Sequence, residues 1–193
     1  MNQMDLKQSN GFRLALELSI ITGAITIALV YMLGQTGNPQ LFTFATQLGG
    51  MGNDIFLLVT NGIIFAWAWR NNMRGVIGLT LAMDAAVWAL VQSIKLIPFG
   101  AWALRPNGDI GGFPSGHTTH AFAMAFALTT IFPRFGWVWY LGAGIIGWSR
   151  VESAWHTPFQ VTAGVFFGIA VGVTFVKYLL KKYAGPPHTT EQA

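Results

Sequence analysis

Long apolar segments recur along this chain and constrain its fold more than any other feature of the sequence. Six of them lie at residues 14–33, 55–69, 76–97, 116–132, 135–148 and 158–180. A helix needs about 20 largely apolar residues to cross the hydrocarbon layer of a bilayer, so six such helices use most of the 193 residues. The sequence therefore predicts an all-α, polytopic membrane protein with six transmembrane helices in one domain.

The overall composition supports this class of protein. Hydrophobic residues make up 53% of the chain and charged residues 9%, and the mean hydropathy is +0.49. These values are typical of polytopic membrane proteins and argue against a soluble domain. The net charge of +4 is small and comes from residues that flank the apolar segments. We therefore expect the lipid bilayer, and no nucleic acid or further protein, as a partner.

The distribution of Lys and Arg predicts the orientation in the membrane. Cytoplasmic loops are enriched in these residues, and all but three of the 11 fall on one side of the predicted membrane. Both termini are therefore predicted to be cytoplasmic, with residues 1–12 as an N-terminal segment, residues 13–182 as the membrane domain and residues 183–193 as a disordered tail. The three basic residues on the outer side are Lys95, Arg105 and Arg150.

A Pro-Ser-Gly-His sequence at residues 114–117 opens the fourth predicted helix. Ser115 suits the N-cap position, after which the first backbone N–H groups of the helix have no partner within the helix. The N-terminus of a helix attracts anions, and Gly116 has no side chain to keep an oxyanion from the backbone. With the three outer cations nearby, this segment predicts a phosphate-binding site.

A second polar segment contains Arg150 and His156, and Gln160 follows four residues after His156. His117 and His156 are both predicted on the outer side, close to cations that depress the pKa of imidazole. Two such residues allow a division of labour, in which a neutral His attacks phosphorus and the other His donates a proton to the departing oxygen.

Together, Lys95, Arg105-Pro106, the sequence at 114–117 and Ser149-Arg150 followed by His156 resemble the motifs of the type 2 phosphatidic acid phosphatase family. The resemblance covers essentially the whole chain, because that family has six membrane helices with these motifs at the outer ends of the third to sixth. It implies a metal-independent phosphatase without a cofactor, in which His156 forms a phosphohistidine and His117 protonates the leaving alkoxide. It also implies that the phosphoryl oxygens are held by Lys95, Arg105, Ser115, Gly116, His117 and Arg150.

The chain departs from the family pattern at two positions. Lys95 precedes Arg105 by a longer interval than is usual, and Gln160 stands where the family has an Asp that orients the nucleophilic His. Three hypotheses follow from Gln160. The site is active and differently tuned, or Glu152 supplies the carboxylate to His156, or the chain is a non-catalytic binder of lipid phosphates.

Other functions need different sets of residues. His117 and His120, three residues apart on one predicted helix, would form a three-histidine metal site with His156. Ionisable residues within membrane helices often mark transport pathways, and Glu17 and Asp84 therefore raise a transporter as an alternative. A phosphotransferase would use the same residues as the phosphatase, with a second lipid in place of water.

The predicted place of the site indicates the class of substrate. Trp102, Trp148 and Trp155 surround it at the level of the lipid headgroups, where amphipathic rings accumulate. We therefore expect a membrane lipid phosphate as substrate, with phosphatidate, phosphatidylglycerol phosphate, an isoprenyl pyrophosphate and the phosphates of lipid A all compatible. The predicted location is the inner (plasma) membrane, with the active site facing the periplasm or exterior.

Overall fold

The computed structural model describes the backbone of residues 3–183 and the side chains of residues 10–183. Within this range the chain forms helices and no strand, which confirms the all-α prediction. A π-helical turn, Leu48–Gly52, joins two of the helices, and Ala101–Ala103 and Pro133–Phe135 form short 3-10 turns. The α-helices are α1 (Gln3–Leu33), α2 (Pro39–Gln47), α3 (Asn53–Arg70), α4 (Arg74–Lys95), α5 (Gly116–Ile131), α6 (Gly136–Glu152) and α7 (Pro158–Tyr183).

Most predicted helix ends agree with the structure to within a few residues, and the exceptions lie near the N-terminus. Helix α1 begins at Gln3, so it runs through the segment predicted as a separate N-terminal piece at residues 1–12. Helix α2 continues through the π-helical turn into α3, so Pro39–Arg70 is one helical stretch and residues 3–183 form six such stretches. The predicted C-terminal tail lies outside the described residues, apart from Tyr183.

Four helical stretches are long and apolar enough to cross a membrane, namely Asn10–Leu33, Pro39–Arg70, Arg74–Lys95 and Pro158–Tyr183. Helices α5 and α6 have 16 and 17 residues, which rise only about 24–26 Å against a hydrocarbon layer of about 30 Å. The chain is therefore a multi-pass membrane protein. Six crossings and cytoplasmic termini remain predictions.

Helix α5 lies at the centre of the bundle, packed mainly against α1, α6 and α7. Its residues 121–130 are all buried, so protein rather than lipid surrounds this short helix. Glycines at every fourth position of α7 allow this helix to approach α5 closely. At Gly168, for example, a Cβ would lie 2.4 Å from the carbonyl oxygen of Thr119. Small residues of this kind are the usual means of close helix contact in membranes. The start of α5 is thereby held beside the start of α7.

The two acidic residues that raised the transporter alternative both have partners. Glu17 accepts a hydrogen bond from Arg13 at 2.8 Å on the surface of α1. Asp84 lies 2.6 Å from Nε2 of His120, across the contact between α4 and α5. Neither carboxylate is isolated in the bundle, and the argument for a transport pathway is weakened accordingly.

Candidate active site

The connection from α4 to α5 carries Arg105 and is ordered by its own backbone hydrogen bonds. The N–H of Arg105 donates to the carbonyl oxygen of Asp109 at 2.8 Å, and that of Gly112 donates to Ala103 at 3.1 Å. Beside these bonds, the ring of Phe113 lies 5.0 Å from that of Trp102 and stacks on Phe159 of α7 at 5.6 Å. The connection is therefore packed onto the beginning of α7, next to His156.

His156 lies in the turn between α6 and α7 and is 3% exposed. Its Nδ1 is 2.7 Å from the carbonyl oxygen of Gly112 and 3.2 Å from Oε1 of Gln160. Both neighbours are acceptors, so Nδ1 carries the proton of the neutral ring and Nε2 keeps its lone pair. This tautomer leaves Nε2 available to attack an electrophile.

Gln160 holds three segments of the site together. Its Oε1 accepts from Nδ1 of His156, and its Nε2 donates to the carbonyl oxygens of Leu104 at 2.7 Å and Trp102 at 3.3 Å. Its backbone carbonyl accepts from the N–H of Ser115 at 3.0 Å, at the start of α5. The sequence correctly predicts that Gln160 contacts His156. The sequence does not predict the hydrogen bonds that the side-chain amide of Gln160 donates to the connection that carries Arg105.

The hypothesis that Glu152 orients His156 is wrong. Glu152 is 1% exposed, and its two carboxylate oxygens accept hydrogen bonds from the hydroxyl of Thr36 at 2.7 Å and from the N–H of Thr36 at 3.1 Å. Its carboxylate thus anchors the connection between α1 and α2. The nearest hydrogen-bond acceptor of His156 Nδ1 is instead the backbone carbonyl oxygen of Gly112. A backbone acceptor cannot be predicted from the pattern of side chains in the sequence.

Two of the predicted cations lie against the same aromatic ring. The guanidinium carbons of Arg105 and Arg150 are 4.7 and 5.4 Å from the ring centre of Trp155. Nη1 of Arg150 also donates to the carbonyl oxygen of Gly49 at 2.7 Å. Gly49 belongs to the π-helical turn and has no room for a Cβ, which would lie 2.5 Å from this Nη1. The Gly-rich stretch there is the only sequence signal for this contact.

The positive charge of the site is not balanced by acidic residues. Within residues 10–183, none of Lys95, Arg105 and Arg150 forms an ion pair with a carboxylate. The Nε atoms of Arg105 and Arg150 are buried and have no hydrogen-bond partner in the same part of the chain. A buried Arg150 and two half-buried cations with unused donors indicate an anionic ligand, because leaving such groups unpaired is unfavourable.

The environment of His156 favours its neutral form. Burial, together with the positive charges of Arg150 and Lys95, lowers the pKa of His156 from 6.5 to about 3. A neutral imidazole with an unprotonated Nε2 is the form that can act as a nucleophile.

This low pKa leads to a prediction about pH. In phosphate-free buffer, His156 is expected to stay neutral until the pH approaches about 3, whereas an ordinary His gains a proton near pH 6.5. The unfolding free energy should therefore fall as the pH drops below about 6.5, because only the unfolded state takes up the proton. Nitrogen chemical shifts of His156 in labelled protein measure the folded-state value. Arg150→Gln should raise it, and protonation near pH 6.5 in the wild type would contradict the prediction.

The Pro-Ser-Gly-His segment lies where the sequence predicts, at the N-terminus of α5. Ser115 occupies the N-cap position, but its hydroxyl pairs with that of Thr118 at 2.9 Å and caps no backbone N–H. The predicted side-chain cap is therefore absent, and the first N–H groups of α5 remain for a ligand. Gly116 and His117 border a cavity of about 470 Å³, which Lys95 also lines.

The three-histidine metal site does not form. Within the described residues, no three His, Cys, Asp or Glu side chains are grouped to share a metal ion. His120 is paired with Asp84, and Nδ1 of His156 is occupied by Gly112.

Comparison with known proteins gives one family match and several relatives. Residues 95–184 match the PAP2 superfamily. Bacitracin transport permease protein BcrC of Bacillus licheniformis is 37% identical over 118 residues, which cover 56% of this chain and 58% of the relative. Inositol phosphorylceramide synthase of Candida albicans is 26% identical over 165 residues, or 83% of this chain and 34% of the relative. Undecaprenyl-diphosphatase BcrC of Bacillus subtilis is 29% identical over 75 residues, 39% of each.

The chain has no significant match among solved structures. It spans between a third and three fifths of the length of these relatives. All the predicted phosphate-binding and catalytic residues lie inside the matching segment at 95–184. The family match at residues 95–184 is the one that the motifs predict, so the resemblance to the PAP2 superfamily is confirmed over this part of the chain.

Proposed function

We propose that this protein hydrolyses a membrane lipid phosphate through a phosphohistidine at His156, without a metal or cofactor. The observation that carries the proposal is the state of His156. Its ring is buried, which favours the neutral form, and its Nδ1 is bonded to the carbonyl oxygen of Gly112 at 2.7 Å, so that Nε2 keeps its lone pair. Around it lie cations that form no ion pair with a carboxylate of residues 10–183, an arrangement suited to a phosphate and its transition state.

In the proposed first step, the phosphate binds to the N-terminal N–H groups of α5 and to Lys95, Arg105 and Arg150. Nε2 of His156 attacks phosphorus, the bond to the lipid oxygen breaks, and His117 donates a proton to that oxygen. Water, deprotonated by His117, then displaces the imidazole and releases inorganic phosphate. The backbone carbonyl oxygen of Gly112 and the side-chain Oε1 of Gln160 accept hydrogen bonds from the Nδ1–H group throughout. They thereby stabilise the positive ring of the intermediate without a carboxylate.

The substrate is proposed to be a lipid with its phosphate at the outer surface of the plasma membrane. Trp102 and Trp155 are 50% and 39% exposed, and amphipathic rings of this kind accumulate where headgroups meet the acyl chains. Two relatives carry names that refer to a transport permease and a diphosphatase, and both come from bacteria. Phosphatidate, phosphatidylglycerol phosphate, isoprenyl pyrophosphate and lipid A phosphates are the candidate headgroups.

Phosphotransfer to a second lipid is the alternative. A synthase, whose name implies transfer rather than hydrolysis, aligns with 83% of this chain. The chemistry would differ only in the second step, where an alcohol rather than water would receive the phosphoryl group from His156.

The proposal is tested by phosphate release from long-chain lipid phosphates by the purified protein in detergent with EDTA present. Release together with an acid-labile, base-stable phosphoenzyme is the expected result. Phosphoenzyme without release, followed by turnover when a lipid alcohol is added, would support the transferase. Release only after divalent metal is restored would contradict the proposed mechanism.

A further inference from the structure

The cavity of about 470 Å³ beside His117 lies between α3, α4 and α5. Part of its wall belongs to the candidate site, through Lys95, Gly116 and His117. The rest is a mixture of apolar side chains and a polar group formed by Asn53, Asp84, Gln92 and His120. A pocket contiguous with the phosphate site must hold something that is attached to the phosphate.

The positions of the two proposed catalytic histidines indicate which part of the substrate occupies the cavity. His117 borders the cavity, whereas His156 is not in its wall. In phosphoryl transfer the attacking atom and the leaving oxygen lie on opposite sides of phosphorus. Because the proposed function makes His117 the proton donor to the leaving oxygen, the leaving group extends into this cavity. This step rests on the proposed function.

The charge of the cavity wall differs from that of the phosphate site. Asp84 and His120 are 2.6 Å apart, and their side chains are 23% and 13% exposed. His120 follows His117 by three residues, about 4.5 Å along the axis of α5. The pair brings a carboxylate to this part of the cavity wall. It can therefore accept hydrogen bonds from hydroxyl groups, and the carboxylate repels a second phosphate.

We infer that this cavity is a leaving-group site that accepts an uncharged, hydroxyl-bearing group and disfavours one that carries a second phosphate. The preferred substrate class is then a lipid phosphomonoester whose alcohol side has free hydroxyl groups. A lipid diphosphate is the disfavoured class, because its leaving group would carry a phosphate toward His120, one helical turn from His117, and toward the carboxylate of Asp84 that contacts it. Gln92 and Asn53 add uncharged hydrogen-bonding groups to the same wall.

Binding separates this selectivity from the greater intrinsic reactivity of a phosphoanhydride. The probes are a prenyl monophosphate and the diphosphate with the same chain, measured on protein that carries His156→Ala and so does not turn them over. Adding Asp84→Asn should tighten the diphosphate about tenfold, the scale expected of one charge at a partly solvated site, and change the monophosphate by less than about threefold. Gln92→Lys adds a positive charge to the same wall and should change the ratio in the same direction.

Turnover on the wild-type background is the second readout. Asp84→Asn should raise the kcat/KM ratio of diphosphate to monophosphate by about tenfold. Glu17→Gln, which removes a surface carboxylate outside the cavity wall, is the control and should leave the ratio unchanged. If both cavity variants leave the binding and turnover ratios unchanged, the inference is overturned. A wild type that hydrolyses neither lipid would instead contradict the proposed function.

Discussion

Replacement of His156 by alanine is expected to lower kcat for phosphate release by about 10⁴-fold or more, the scale seen when a catalytic nucleophile is removed. The reason is that Nε2 of His156 is the atom proposed to bond to phosphorus. The phosphoenzyme should disappear together with turnover, and phosphate release in EDTA with parallel trapping of labelled protein measures both.

His156→Asn is the matched control for a purely structural role. Its side-chain amide can still donate to the carbonyl oxygen of Gly112, but it has no ring nitrogen with which to attack. Asn is therefore expected to be as inactive as Ala, while the thermal stability of the purified protein falls less. A His156→Asn variant that retained more than about a tenth of the wild-type rate would show that His156 orients the site and is not the nucleophile.

Gln160→Asp, which restores the residue typical of the family, is expected to lower kcat/KM by about 100-fold. The shorter Asp side chain cannot reach both sets of partners, so the carbonyl oxygens of Leu104 and Trp102 lose their donor. An unsatisfied buried polar group costs about 1–3 kcal/mol, and each 1.4 kcal/mol corresponds to a factor of ten in rate. The connection that carries Arg105 should loosen, which would appear as a higher KM for the lipid as well as a lower kcat.

Two further variants distinguish the causes of this loss. Gln160→Glu keeps the side-chain length but turns an oxygen toward the same carbonyl oxygens, so it should be impaired to a similar extent. Glu152→Gln removes a carboxylate that contacts only Thr36, and should reduce stability while leaving kcat within about threefold. An increase in rate for Gln160→Asp would mean that the charge on His156 matters more than the attachment of the connection.

The sequence predicts the helices well because the dominant signal is local. Apolar runs and their flanking Pro, Lys and Arg residues locate the helices from α3 to α7 to within a few residues. The structure brings two of the motif residues, Arg105 and Arg150, together against the ring of Trp155. Helix α2 lies between the first two predicted helices and is not among the six predicted segments. The π-helical turn that joins it to α3 has no periodic pattern to reveal it.

The failures at the site have a common physical origin in backbone geometry. A spacing of four residues suggested that Glu152 faces His156, which holds only within a continuous helix. Helix α6 ends at Glu152, Ala154 adopts a positive φ of 58°, and the chain turns back so that the N–H groups of Trp155 and His156 donate to the carbonyl of Arg150. The roles of the carbonyl oxygens of Gly49 and Gly112 as hydrogen-bond acceptors cannot be predicted from the sequence either, because every residue has a backbone carbonyl.

The neutral Gln160 has a consequence for how this protein meets its substrate. An Asp at this position would offset part of the positive charge of Lys95, Arg105 and Arg150, whereas an amide leaves it intact. The field of the unliganded site therefore extends further over the surface of the bilayer, to a distance set by the ionic strength, about 10 Å at 0.1 M salt. Anionic headgroups diffusing in the membrane plane are drawn toward the site before they touch it. The salt concentration of the medium that bathes the site should therefore influence the rate of encounter.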